Sequence, residues 1–179
     1  MKVKASVFIG TSVGGFIARV NGDLDFLDAG GGEPHGYDEF TATVDGLVIG
    51  RHTFETVLSF DAWPYGEKRV FVLSTRPIAT PPPGAVVERM SGAPTDILSQ
   101  LAARGIGHVY VDGGITVQRF LQAGLIDRLI ITRVPVLIGA GIPLFGPLPH
   151  DIVLQPVATR QYAGGLVQTE YVVTARVEV

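Results

Sequence analysis

The sequence predicts an α/β fold: a mostly parallel, twisted sheet with helices on both faces and an antiparallel C-terminal hairpin. Three observations carry this expectation. Twice an apolar strand runs into a glycine-marked cusp and straight into an amphipathic helix: Asp45-Gly46-Leu47-Val48-Ile49-Gly50 precedes Arg51 to Glu55, and His108-Val109-Tyr110-Val111-Asp112-Gly113-Gly114 precedes Thr116 to Leu121. Strands and helices then alternate, the rhythm of βαβ units. Leu129 to Val136 reads as one strand rich in Leu, Ile and Val, as a central parallel strand should. Composition agrees, since 46% hydrophobic residues, 17% charged residues and a mean hydropathy of +0.34 suit a large sheet covered on both faces. At 179 residues the chain is expected to form one domain, residues 1–179, that buries roughly 70% of its unfolded surface.

Taken in order, Val3 to Ile9 is the first strand, and Gly10-Thr11-Ser12-Val13-Gly14-Gly15 is a loop able to approach a ligand closely. Val20 to Gly36 has glycines, acids and a proline without period, the character of an active-site lid or binding loop. Tyr37 to Val44 is a short helix, Leu47 to Ile49 a buried strand and Thr53 to Leu58 a helix. After the Pro64-Tyr65-Gly66 turn comes strand Arg69 to Leu73, then a stiff Pro81-Pro82-Pro83-Gly84 connector and an edge strand, Val86 to Arg89. Pro94 suits a first helical position, Ile97, Leu98, Leu101 and Ala102 follow at helical spacing, and Gly105 falls where a C-terminal cap is wanted. Strand Val109 to Val111 and helix Thr116 to Ala123 complete the second cusp, with a glycine stop at Gly124. Beyond the Ile138 to Pro149 loop, Ile152 to Tyr162 and Leu166 to Val177 flank Ala163-Gly164-Gly165 as a hairpin on the sheet edge.

Charge and composition exclude several classes of function. The formal charge is −3, the pI is near 5.7 and the 14 Lys and Arg are scattered, so no nucleic-acid partner is expected. Without cysteine there is no disulfide, thiolate nucleophile or thiolate metal site. His35, His52, His108 and His150 are too far apart for local metal-ligand spacing, so the expected metal count is none. No run approaches the ~20 apolar residues of a membrane helix, and Met1 to Ile9 is too short for a signal h-region, so a cytoplasmic protein with no membrane partner is expected.

The two cusps place free N–H groups of helix N-termini at the carboxyl end of a sheet, where two such ends can hold the phosphates of a dinucleotide. Gly50 permits the tight turn, Thr53 and the first-turn amides can receive a pyrophosphate, and Arg51 offers a planar cation to a ribose phosphate. His52 lies in the same first turn. Leu73, Ser74, Thr75 and Arg76 at the next strand end bring hydroxyls and a second guanidinium, groups that suit a phosphate. Gly113 and Gly114 let backbone approach a ligand. An anion beside a phosphate is unfavourable, so Asp112 is expected to cap the helix near Thr116, with substrate contact as the alternative.

These residues resemble the dihydrofolate reductase superfamily. The resemblance rests on Gly50-Arg51-His52-Thr53-Phe54-Glu55, Val72-Leu73-Ser74-Thr75-Arg76-Pro77, and Asp112-Gly113-Gly114 before Phe120-Leu121. It is strongest to the bacterial branch sharing the reductase domain of bifunctional riboflavin-biosynthesis enzymes. There Tyr110-Val111-Asp112-Gly113-Gly114, Leu125-Ile126-Asp127, Val134-Pro135-Val136-Leu137-Ile138-Gly139 and Pro143-Leu144-Phe145 look like a signature. It spans Val3 to Val173 and implies a stand-alone bacterial member.

The resemblance implies a dihydrofolate reductase-like fold, NADPH as cofactor and a homodimer. It implies hydride transfer to a pterin, pyrimidine or related heterocycle, akin to the 5-amino-6-(5-phosphoribosylamino)uracil reductase of riboflavin biosynthesis. Arg51 and Thr53 take the phosphate roles given above, and Ile17 and Ala18 flank the nicotinamide. Substrate is then expected between the Val20 to Gly36 segment and the Tyr37 helix. Strongly apolar strands, with Ile130, Ile131, Val134 and Val136, are compatible with the dimer and equally with a core.

Four departures stand out. Folate-reducing members carry glycine at the place of Asp112. They rely on a helix carboxylate where counting back from Gly50 gives Pro34, leaving the adjacent Glu33 and the helical Asp38 and Glu39 as candidate acids. Gly14 stands where the branch often has an acid, and the Asp-Asn-Pro segment of the riboflavin enzyme is replaced by Arg51 to Val57. These departures motivate a second reading, a non-catalytic dimeric nucleotide-binding protein that keeps the fold.

Overall fold

Runs of β-branched and aromatic residues that bury both faces build the central strands, and Gly50 and Gly113 mark where two of them stop. In the computed structural model, which describes residues 2–177, the strands are β1 (Lys4–Thr11), β2 (Phe16–Ala18), β3 (Gly46–Gly50), β4 (Arg69–Leu73), β5 (Val86–Met90), β6 (His108–Asp112), β7 (Arg128–Arg133), β8 (Ile142–Pro143), β9 (Asp151–Gln161) and β10 (Val167–Val177). Helices are α1 (Tyr37–Thr41), α2 (Arg51–Leu58), α3 (Pro94–Ala103) and α4 (Gly114–Gln122), with a 3-10 helix at Asp25–Gly30. The eight-stranded sheet runs β5-β4-β3-β6-β1-β7-β10-β9. Its pairs are parallel from β5 to β7, and β10 and β9 close the edge as the antiparallel hairpin.

One face packs α3 and α4, burying Ile97, Leu101, Val117 and Phe120 against Val7, Val48 and Val111. The other packs α1 and α2, with Phe40, Phe54 and Val57 against Phe8, Ile49 and Tyr110. Each fully buried phenylalanine contributes about 1.5–3 kcal/mol. α3 begins with Pro94 at its first turn and ends where Gly105, at φ 78°, lets the Ile106 N–H reach back to Leu101 O at 3.1 Å. Ile130 and Val134 are 4% and 3% exposed, so core burial accounts for them without a subunit interface.

Several expected boundaries move. α1 stops at Thr41 rather than Val44, because Thr43 and Val44 turn back onto Phe40 O and Thr41 O. β7 ends at Arg133 rather than Val136: Pro135 has no N–H for the ladder. The Ile138 to Pro149 loop contains β8, which pairs with β2. The irregular Val20 to Gly36 segment carries the 3-10 helix, whose Phe26 packs with Val134, Ile138 and Leu166. That segment is therefore anchored, with Arg19 and Asp25 joined at its base by hydrogen bonds of 2.6 and 3.0 Å.

Its docking is tight where Gly30 meets the hairpin turn. A Cβ on Gly164 would strike the Gly30 carbonyl, a backbone group that cannot swing aside. Gly164→Ala is expected to cost about 1–3 kcal/mol by overpacking, read as a lower urea midpoint at unchanged m. An unchanged midpoint would show that the contact yields freely.

Candidate active site

Both cusps end on adjacent parallel strands, with Ile49 opposite Asp112 in the β3–β6 register. α2 and α4 therefore start side by side. Each begins two residues earlier than expected, at Arg51 and Gly114 rather than Thr53 and Thr116, because Gly50 and Gly113 take the N-cap positions directly at the strand ends. Neither cap receives a side-chain hydrogen bond, and neither first turn holds an acid. The first-turn amides are thus left for another acceptor.

Thr53 and Thr116 both occupy the third helical position and fill the seam between the helices. A Cβ on Gly50 would stand 2.9 Å from Thr116 Oγ1, and one on Gly113 would strike Thr53 Oγ1. Gly113 also sits at φ 93° and ψ 136°, a conformation in which only glycine is unstrained. A Cβ on Gly114 would meet Ile17 Cδ1 at 2.8 Å, so the first loop closes the third side.

A cleft of about 1070 Å³ opens here. It lies at the top of the roughly 300–1,000 Å³ span of small-molecule sites. Ile17, Ala18, Gly50, Arg51, His52 and Thr53 line it, as do Leu73, Ser74, Thr75 and Arg76 at the end of β4 and Asp112, Gly113, Gly114 and Thr116 at the second cusp. The turn after β4 is fixed by Ser74, whose Oγ donates to Arg76 O at 2.8 Å and accepts the Arg76 N–H at 3.0 Å. Arg89 donates to Ser74 O at 3.1 Å. Arg76 projects into solvent at the rim, while Arg51 is paired with Glu55 at 2.6 Å.

Asp112 does not cap α4. Its carboxylate accepts the N–H of Gly113, the cap residue itself, at 2.8 Å, and the side chain turns to the β-sheet face that carries Tyr110. Burial pushes this carboxyl up to about 6, against the opposing pull of the Gly113 N–H and the Tyr110 hydroxyl. Tyr37, Tyr65 and Tyr110 all feel its charge. Burial and that charge push the Tyr37 hydroxyl up to about 12 and raise Tyr65 and Tyr110 as well, so all three remain neutral donors. The Tyr110 hydroxyl donates to Phe8 O at 2.8 Å.

Asp38 and Glu39 lie exposed on α1 and line no part of this cleft; Asp38 borders a separate hollow of about 530 Å³ beside Tyr37 and Asp45. The large cleft is instead walled by Leu24 and Leu27 from the anchored segment and by Val57 and Phe60 at the far end of α2, rather than by the Tyr37 helix. Sequence reading missed Tyr65 and Tyr110. A local signal existed for Tyr110, which precedes Asp112 by two on one strand and so shares its face.

Among the described residues no group of three or more His, Cys, Asp or Glu is placed to hold a metal ion, and no helix is long and apolar enough to cross a membrane.

Residues 4–168 match the model of the RibD C-terminal domain family. The chain is 33% identical to the uncharacterized protein YwjB of Bacillus subtilis (strain 168) over 175 residues, 96% of this chain and 99% of that one. A crystal structure from Shewanella sp. PV-4, of a protein named for riboflavin biosynthesis, superposes with a TM-score of 0.89 at 39% identity, covering 97% of this chain and 100% of that one. The Enterococcus faecalis dihydrofolate reductase, solved as a complex with NADP(H), matches with a TM-score of 0.65 at 16% identity, over 98% of this chain and 100% of that one, a likeness of fold.

Proposed function

Because the chain belongs to the RibD C-terminal domain family, we propose that it is an NADPH-dependent reductase that transfers hydride to a C=N or C=O bond of a pterin, pyrimidine or related heterocycle. The observation that carries this reading is the pair of uncapped helix N-termini, α2 and α4, meeting in one cleft beside a buried carboxyl that titrates near neutrality.

The residues present fit a dinucleotide. The amides of both first turns are free of side-chain acceptors, and the missing Cβ of Gly113 lets Thr53 and the two helix starts close on one another. Arg51 and Arg76 flank that end. Arg51 must leave Glu55 to bind a phosphate. An exposed pair of this kind is worth only about 0–1 kcal/mol, whereas a charge-assisted hydrogen bond to an anion contributes about 1.5–3 kcal/mol, so the exchange is favourable.

Bound NADPH supplies the hydride, two electrons with one hydrogen, and is left as NADP⁺. The chain's own residues do the rest. Ile17 and Ala18 would hold the cofactor's reacting end, the apolar walls would exclude water, and the Asp112 carboxyl would give a proton to the heteroatom of the reduced bond. The Gly113 N–H fixes that carboxyl in place.

Arg51→Ala is expected to weaken NADPH by about tenfold and to leave NADH within about twofold. Equal losses would remove the 2′-phosphate role. The activity itself is tested by following NADPH oxidation with pterins, quinones and aminopyrimidine ribose phosphates. Saturable turnover supports the reductase. Tight NADPH binding with no turnover anywhere in the panel favours the non-catalytic nucleotide-binding reading.

A further inference from the structure

The cleft is sorted by charge. Its basic side chains, Arg51, His52, Arg76 and Arg119, stand on the first turn of α2, the end of β4 and α4. The other end has Leu24 and Leu27 on one wall, Val57 and Phe60 on the other, and Tyr65 with Asp112 at the floor. Val57 lies six residues beyond Arg51, about 9 Å along the axis of α2 at 1.5 Å per residue. Leu27 covers the end of β1, where a Cβ on Gly10 would approach its Cδ2 to 3.1 Å.

Basic groups that could reach this second end are held elsewhere. Arg19, beside Asp25, Lys68, which donates to Val44 O at 2.7 Å, and His35, with Nδ1 at 3.0 Å from Glu33 O, all lie outside the lining. Among the described lining residues the acids are Glu55, which pairs with Arg51, and Asp112, whose charge is felt by Tyr65 and Tyr110 at that end.

We propose that the substrate of this cleft is a flat heterocycle bearing no phosphate or carboxylate, neutral or cationic, whose N–H edge is read by Asp112. This deepens the reductase reading and rests on it, since the cofactor must occupy the arginine end. An anionic group at the second end would be taken from water with no cation to meet it and would face a like charge. A ring N–H or a protonated ring nitrogen gains a charge-assisted hydrogen bond there. Tyr65, Phe60 and the leucines offer the apolar faces that a planar ring covers. A ribose phosphate, by contrast, has no receiver.

The test starts from the NADPH complex and uses matched probes: 5-amino-6-(5-phosphoribosylamino)uracil with its dephosphorylated form, and a neutral pterin with its side-chain phosphate. Trp63, the single tryptophan, packs edge-on against Tyr65 at 5.1 Å between centroids and reports binding by its emission. In at least one pair the phosphate-free member is expected to bind about tenfold or more tighter than its phosphorylated twin. Phe60→Arg, which brings a cation to the mouth, is expected to recover about tenfold for the phosphorylated member relative to its phosphate-free twin. Equal or tighter binding of the phosphorylated members, or no binding of any phosphate-free member by protein that holds NADPH, would overturn the proposal. Failure to bind NADPH in the first step would instead remove the reductase reading, and it is read before any heterocycle is added.

Discussion

Asp112→Asn is expected to lower turnover by about 10²–10³-fold while leaving NADPH affinity within about twofold, because the change removes a positioned acid and preserves shape. The same substitution should alter stability in the opposite direction. The folded carboxyl titrates near 6 through burial, whereas an unfolded aspartate titrates near 3.9. Below about pH 3 both states are protonated and the group has no effect on folding. As pH rises from about 4 to 6 the unfolded state ionises first, so stability falls, and above 6 the folded state carries a buried anion at a cost on the order of 2 kcal/mol. Asp112→Asn should therefore raise the urea midpoint at pH 8 and leave it unchanged at about pH 3. The wild-type rate should decline as pH rises through about 6, as a donor that must be protonated requires. A variant that keeps full turnover, or whose stability gain is the same at both pH values, would exclude Asp112 as the acid.

Gly113→Val is expected to abolish the phosphate cradle. Two independent obstacles meet at this residue: a backbone at φ 93° and ψ 136° that a β-branched side chain does not tolerate, and a Cβ driven into Thr53 Oγ1. We expect NADPH affinity to fall by about 100-fold or more and stability by about 2–3 kcal/mol. The two obstacles can be separated. In a cycle of Gly113→Ala and Thr53→Ala, removing the threonine hydroxyl should recover the steric part of the stability loss and leave the backbone part, giving a coupling of about 0.5–1.5 kcal/mol. Strict additivity would mean that the helix starts do not press on one another.

The cusps were legible in the sequence because each is local: strand, glycine and helix follow within a dozen residues, and the chain shows both. Helix starts lie two residues earlier than expected, since threonine is a favoured cap and glycine takes the position instead, extended at Gly50 and at positive φ at Gly113. The β2–β8 ribbon was not legible. It joins Phe16–Ala18 to Ile142–Pro143, two very short segments far apart in sequence with glycines around them. The 3-10 helix escaped for a related reason, as Asp25 to Gly30 has no 3.6-residue period. The environment of Asp112 was the least visible part, because Tyr37 on α1, Tyr65 in the turn before β4 and Tyr110 on β6 converge only when the sheet and α2 are in place. The sequence therefore exposed the phosphate-binding end, made of local turns, and concealed the substrate end, made of side chains from distant elements.

The most direct test of the account is a parallel titration of the protein with NADPH and NADH, read by energy transfer from Trp63 to the reduced nicotinamide. Saturable binding with NADPH favoured by about tenfold or more, and that preference lost in Arg51→Ala, is the predicted result. Absence of binding by either nucleotide would contradict the claim that the two helix N-termini form a cofactor site.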